Sequence, residues 1–208
     1  ADYAGANRKR IVDRWIAGCS VLDPTCGDGQ FLVSMIRSAI DRGIPPRKLP
    51  LSRLFGIERE KTSIALIRSR LRNEFGVDFP VKNLLHADLL LEDPVVEADV
   101  LVGNPPWQNF ADLPSTYKAK IKPLFLEYGL AGGRRKLLLG HSRIDIAALV
   151  IAKAMVAHLK PGGNAYFFIP LSLLLNDGAH AGFREFHQRR LRPSDVPRRQ
   201  GQVRLLEQ

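Results

Sequence analysis

Residues 20–32 read Ser20-Val21-Leu22-Asp23-Pro24-Thr25-Cys26-Gly27-Asp28-Gly29-Gln30-Phe31-Leu32. Ser20-Val21-Leu22 suits a short buried strand, and it runs into Asp23-Pro24 and a loop carrying two glycines. Phe31, Leu32, Met35, Ile36, Ala39 and Ile40 then recur at helical spacing, and Gly43 stops the run. A strand that passes through a glycine loop into a helix is the opening unit of a parallel sheet, because parallel neighbours need a long crossover, usually helical. The unit repeats outward from there. Ile11, Val12, Trp15 and Ile16 mark a helix from Arg8 to Ala17 ahead of the first strand. A second strand, Leu54-Phe55-Gly56-Ile57, ends at Glu58, and a helix with Ile64, Ile67, Leu71 and Phe75 on one face stops at Gly76. A third strand is expected from Val81 to His86, ending at Asp88, and a fourth from Asp99 to Val102, ending at Gly103-Asn104. A long irregular region follows. Ile144, Ala148, Ile151, Met155 and Leu159 then mark a helix stopped by Pro161-Gly162-Gly163, and Ala165 to Ile169 is the fifth strand. The alternation predicts an α/β fold with a doubly wound, mostly parallel sheet.

The 208 residues suffice for one such domain, and 1–208 is expected to be a single unit, a truncated one with a basic segment at about 184–208. Hydrophobic residues at 45% and charged residues at 25% are ordinary globular values. No apolar run has the length of a membrane span. Cys19 and Cys26 fit neither a zinc site nor a disulfide framework, so a reducing, cytoplasmic setting and no metal are expected. A formal charge of +10 favours a polyanionic partner.

Four successive apolar strands end in a carboxylate or an amide: Asp23, Glu58, Asp88 and Asn104. In an open parallel sheet those ends share one edge, where ligands bind at the point of strand-order reversal. The glycine loop is not a dinucleotide fingerprint, because Leu32 takes the place of the third glycine and an acid precedes the loop. A carboxylate there suits a ligand with cationic groups better than a pyrophosphate.

At these residues the chain resembles the class I S-adenosylmethionine-dependent methyltransferases, a Rossmann-like family, with DPTCGDGQFL similar to their first motif. The resemblance implies S-adenosylmethionine as cofactor, with Asp23, Pro24, Gly27 and Gly29 around its methionine end. It further implies Glu58 on the ribose hydroxyls, Asp88 near the adenine amine and Asn104 at the boundary with the acceptor. Cys26 reads as a small residue that fits the loop, and His86 as a packed strand-end residue. Asn104-Pro105-Pro106-Trp107 resembles the fourth motif of amino-methyltransferases, including adenine-N6 DNA methyltransferases of restriction-modification and phage-defence type. An exocyclic amine is a poor nucleophile because its lone pair is delocalised into the ring. The Asn104 side-chain oxygen and the Pro105 carbonyl would accept its N–H bonds, Pro106 would stiffen the turn, and Trp107 would stack on an extruded base.

The resemblance covers roughly residues 10 to 175. It implies methylation of adenine in DNA. Alternatives are a protein glutamine or an RNA amine as acceptor, and a non-catalytic, methyltransferase-like DNA-binding subunit. Gly132-Gly133-Arg134-Arg135-Lys136 is a candidate phosphate-contacting loop, weighed equally against a solvated turn. The Arg-rich end has no core of its own from which to read base edges. DNA is therefore the expected partner, with site choice left to a specificity subunit or a missing target-recognition domain.

Overall fold

The computed structural model describes residues 3–130, 145–175, 181–184 and 202–206. The elements in chain order are α1 (Tyr3–Ile16), β1 (Val21–Asp23), α2 (Gln30–Ile40), β2 (Leu54–Glu58), α3 (Lys61–Phe75), β3 (Leu84–His86), β4 (Ala98–Gly103), α4 (Ser115–Glu127), α5 (Ile146–His158), β5 (Leu159–Phe168) and β6 (Gln202–Leu206). The strands form one sheet in the order β3-β2-β1-β4-β5-β6, and every neighbouring pair is parallel. The winding reverses at β1. From there β2 and β3 build outward on one side and β4 to β6 on the other, which opens a crevice at the carboxyl ends of β1 and β4.

Side-chain alternation along the strands sorts the core into two layers. Val21, Leu54, Val100, Val102 and Tyr166 face α1, α2 and α3, where Trp15, Leu32, Ile36, Ile67 and Leu71 are buried. Leu22, Ile57, Leu101, Ala165 and Phe167 face α4 and α5, with Ile121, Phe125, Leu149 and Ile151. Burying each of these large side chains contributes about 1.5–3 kcal/mol. α5 is buried on every side from Ile146 to Ala154, so it runs through the domain rather than over it. Its one interior cation, Lys153, donates to the carbonyls of Leu90 at 3.2 Å and Glu92 at 3.0 Å and pairs with Asp93 at 2.9 Å. These bonds offset the cost of burying the ammonium and fix the segment that follows β3. No helix among the described residues is long and apolar enough to cross a membrane.

Five details differ from the reading of the sequence. α1 begins at Tyr3, not Arg8. Val81–Asn83 is a 3-10 turn, and β3 begins only at Leu84. Pro80 starts that turn, and the buried Asn83 amide donates to the carbonyls of Leu51 and Leu54, both at 2.9 Å. The region after β4 contains α4, which Pro114 and an internal Pro123 disguise; Tyr117, Ile121 and Phe125 form its inward line at four-residue spacing. Strand pairing of β5 starts at Leu159, before Pro161-Gly162-Gly163, with an irregularity opposite Ala98–Val100 that absorbs the extra residues. Finally, a strand, β6, forms within the basic end and pairs with β5. Outside the described residues lie the 132–136 loop and most of the arginines after Arg184.

Candidate active site

The β1–α2 loop turns on two residues with positive φ, Gly27 at 54° and Gly29 at 78°. Their roles differ. A Cβ on Gly27 would meet nothing within 4 Å, and this residue lines the crevice. A Cβ on Gly29 would lie 2.8 Å from Ile67 Cγ1, so Gly29 admits α3 rather than a ligand. Cys26 is buried, as a small loop residue should be.

The crevice is an open cavity of about 360 Å³. Pro24, Thr25 and Gly27 come to it from the β1 loop, Glu58, Arg59 and Glu60 from the end of β2, and Asp88 from the segment after β3. Asn104, Pro106 and Gln108 enter from the end of β4, Tyr117 from α4, and Ile146 and Val150 from α5. Three of the four strand-end residues singled out in the sequence, Glu58, Asp88 and Asn104, thus share one space. The fourth does not reach it. Asp23 is 1% exposed, packed beneath the loop with Oδ1 accepting from the Thr25 amide at 3.1 Å. That oxygen lies 2.9 Å from where a Cβ on Gly103 would stand, so β4 needs a glycine there.

Glu58 is preset by the backbone. Oε2 accepts from the Gly27 amide and Oε1 from the Glu60 amide, both at 2.8 Å. Each oxygen keeps a further lone pair for a ligand. Asp88 accepts from the Leu90 amide at 2.9 Å and from the Tyr117 hydroxyl at 2.9 and 3.1 Å. His86 is exposed rather than packed, with Nε2 3.0 Å from the Arg59 carbonyl. Burial raises the Asp23 carboxyl from its ordinary 3.8 to about 7, and the nearby Glu58 and Asp28 charges add to the shift. Burial, with the Asp23 and Glu58 charges, also pushes the Cys26 thiol far above its usual range. The cavity lining itself holds three acids, Glu58, Glu60 and Asp88, against one base, Arg59, in a chain of net positive charge.

On the β4 side, Asn104 and Pro106 line the cavity, Pro105 is buried, and Trp107 is 44% exposed and stands outside the lining. The segment after Trp107 is tied to the start of α5. Asp145 caps that helix by accepting from the Ala147 amide at 2.8 Å, and the same oxygen accepts from the Gln108 amide at 3.3 Å. The Ile146 amide donates to the Gln108 carbonyl at 2.9 Å. Sequence reasoning missed both Tyr117 and this function of Asp145. The signal for Asp145 was an N-cap acid ahead of an apolar helix; for Tyr117 it was the four-residue spacing with Ile121 and Phe125.

These residues suit S-adenosylmethionine. Glu58 and Asp88 line the cavity with acceptor capacity to spare, the Asp23 carboxyl lies beneath the loop, and Gly27 leaves open space above it. Thr25 Oγ1 is buried at the cavity wall without a partner, a polar atom in need of one.

The sequence matches the family model described as N-6 DNA Methylase over residues 10–185. No curated protein matches it. Among solved structures it is similar to a modification subunit of a candidate type I restriction enzyme from Vibrio vulnificus YJ016, at 23% identity and a TM-score of 0.51, over 86% of this chain and 36% of that one. It is also similar to a candidate class I S-adenosylmethionine-dependent methyltransferase from Listeria monocytogenes, at 20% identity and a TM-score of 0.60, over 99% and 65%. The M protein of the type I restriction enzyme EcoKI matches at 14% identity and a TM-score of 0.50, over 84% and 35%. At these identities the likeness is one of fold. The chain spans about a third of the length of the two restriction-enzyme subunits and 65% of the Listeria protein.

Proposed function

The chain belongs to the N-6 DNA methylase family, and on that premise we propose that it transfers a methyl group from S-adenosylmethionine to the exocyclic amine of adenine in DNA. The observation that carries the reading is the single cavity shared by Glu58 and Asp88 on one side and Asn104 and Pro106 on the other. When bound, S-adenosylmethionine supplies an electrophilic methyl group on a positively charged sulfur. Glu58 accepts hydrogen bonds from the ribose hydroxyls, Asp88 accepts from the adenine amine, and Pro24 and Gly27 flank the methionine end. Asp23 acts through its field, as a buried carboxyl whose ionisation a nearby cation favours. The Asn104 side-chain oxygen and the Pro105 carbonyl accept the N–H bonds of the target amine. This draws the nitrogen toward the pyramidal geometry in which its lone pair is free to attack. Two prolines hold that turn, and Asp145 ties its far end to α5, so little reorganisation is left for the reaction.

The target base must leave the duplex to reach such a site, at a cost of a few kcal/mol. Trp107 presents a half-exposed ring on which the base stacks, contributing about 1–3 kcal/mol in return. A chain of +10 attracts the phosphate backbone without regard to sequence. We infer that site choice belongs to a specificity subunit or a further domain, and that the protein works in the cytoplasm, where its DNA lies.

The test offers tritiated S-adenosylmethionine with duplex DNA, RNA and protein together. Label should enter adenine N6 in DNA. Asn104→Ala should reduce transfer to background while cofactor affinity stays near normal, since its bonds matter most as the nitrogen becomes pyramidal. Label in RNA or protein instead, or parental turnover by Asn104→Ala, would overturn the assignment.

A further inference from the structure

Among the acids around the cavity, Asp88 has a side-chain partner from a distant element. The Tyr117 hydroxyl, on α4, lies 2.9 Å from Asp88 Oδ2 and 3.1 Å from Oδ1. Oδ1 also accepts from the Leu90 amide at 2.9 Å, while the Asp88 amide donates to Glu92 Oε1 at 2.8 Å. A carboxylate oxygen has two lone pairs, and the one phenol hydrogen lies nearer Oδ2, so Oδ2 keeps a lone pair for a further donor. Both Asp88 and Tyr117 line the cavity. Burial, and then the Asp88 charge, raise the phenol to about 12, so it remains a donor at neutral and mildly alkaline pH.

We infer that Tyr117 is a positioning residue for cofactor binding: its hydroxyl fixes the plane of the Asp88 carboxylate so that the remaining Oδ2 lone pair meets the exocyclic amine of the cofactor's adenine. The inference rests on the proposed contact between Asp88 and that amine. The physical need for Tyr117 follows from the Asp side chain itself. Its terminal torsion has a broad, roughly two-fold profile, so one backbone bond to Oδ1 leaves Oδ2 free to swing. A second donor bridging both oxygens stops the swing. Tyr117 is well placed to do this because α4 packs its Ile121 and Phe125 into the core one and two turns further along. The helix follows the Asn104–Trp107 turn after the 3-10 turn Phe110–Asp112, so the stretch from Asn104 to Tyr117 carries both the proposed acceptor-binding residues and the group that orients the cofactor's base. Nothing local to Asp88 in the chain foretells this partner, which lies 29 residues downstream.

The experiment measures calorimetric dissociation constants for two ligands: S-adenosylhomocysteine, and the same compound with hydrogen in place of the 6-amino group. Wild type should prefer the amino ligand. Tyr117→Phe keeps the ring and its packing, and should weaken binding of the amino ligand by about two- to tenfold, the range for one lost hydrogen bond. Binding of the deamino ligand should stay unchanged, so the preference shrinks. Ile121→Val trims the buried face of the same helix without touching Asp88, and any loss it causes should be equal for both ligands. Equal losses for both ligands in Tyr117→Phe would overturn the inference, leaving Tyr117 a packing role alone. A wild type that does not distinguish the two ligands would remove the amine from Asp88, and the inference with it.

Discussion

Replacing Asp23 with Asn removes a carboxylate that the fold holds out of water, and the cofactor-free domain should become more stable. The carboxyl is 1% exposed, and burial raises it from 3.8 to about 7. Because the folded-state value is raised, the unfolded chain releases this proton first as pH increases. The stability linked to Asp23 is therefore complete below about pH 4, falls as pH rises, and levels off above about pH 7. At about 1.36 kcal/mol per unit, a shift of roughly 3 units corresponds to about 4 kcal/mol at pH 8 and a little under 2 kcal/mol at pH 5. Asn imitates the protonated acid in shape, keeps an oxygen for the Thr25 amide and does not titrate. In a domain of this size about 1 kcal/mol moves the melting temperature by about 2–4 °C. Asp23→Asn should thus melt higher than wild type at pH 8, by about 8–16 °C, with somewhat less than half of that advantage at pH 5. Calorimetric or circular-dichroism melts of both proteins across that interval measure it. The same substitution should weaken S-adenosylmethionine binding, because it deletes a charge that opposes the ligand's cations. A mutant that melts with or below wild type at pH 8, or whose advantage does not grow with pH, would refute the idea that burial of this charge is held against stability.

Glu58→Ala should weaken cofactor binding by roughly 1.5–3 kcal/mol in calorimetric titration, since the ribose hydroxyls lose a charged acceptor; unchanged affinity would remove Glu58 from the site. Gly27 and Gly29 should separate cleanly. Gly29→Ala adds a Cβ 2.8 Å from Ile67 Cγ1 in a left-handed backbone and should cost about 1–3 kcal/mol in denaturant unfolding. Gly27→Ala should unfold more nearly like wild type and lose more cofactor affinity, because its Cβ enters the cavity. Asp145→Ala should lose a helix cap worth about 1 kcal/mol and reduce turnover with cofactor affinity retained, and Asp145→Asn, still an acceptor, should recover most of both.

Much of this protein is written locally in its chain. Runs such as Val21-Leu22 and Val100-Leu101-Val102 declare strands because apolar β-branched stretches bury both faces of a parallel sheet. The doubly wound order follows once helices alternate with them. That Glu58, Asp88 and Asn104 share one cavity was legible because strand ends in such a sheet converge on one edge, whatever the details of packing. The Asn104–Trp107 turn was legible because its chemistry lies within four consecutive residues.

What packing decided was which of these groups face the cavity and what orients them. Asp23 and Gly29 belong to the same loop as Gly27, yet α3 and β4 close over them, so one became a buried charge and the other a seat for Ile67. The helix at Ser115–Glu127 gave only a faint periodic signal amid its prolines, and its stability comes from Ile121 and Phe125 meeting the underside of the sheet. Tyr117 reaches Asp88, and Asp145 reaches Gln108, across 29 and 37 residues of chain. Contacts at that separation have no local signature, because the energy that holds them is gained by distant apolar faces finding one another. Sequence names the candidate groups; the fold of two helices onto the sheet's far side determines how they are aimed.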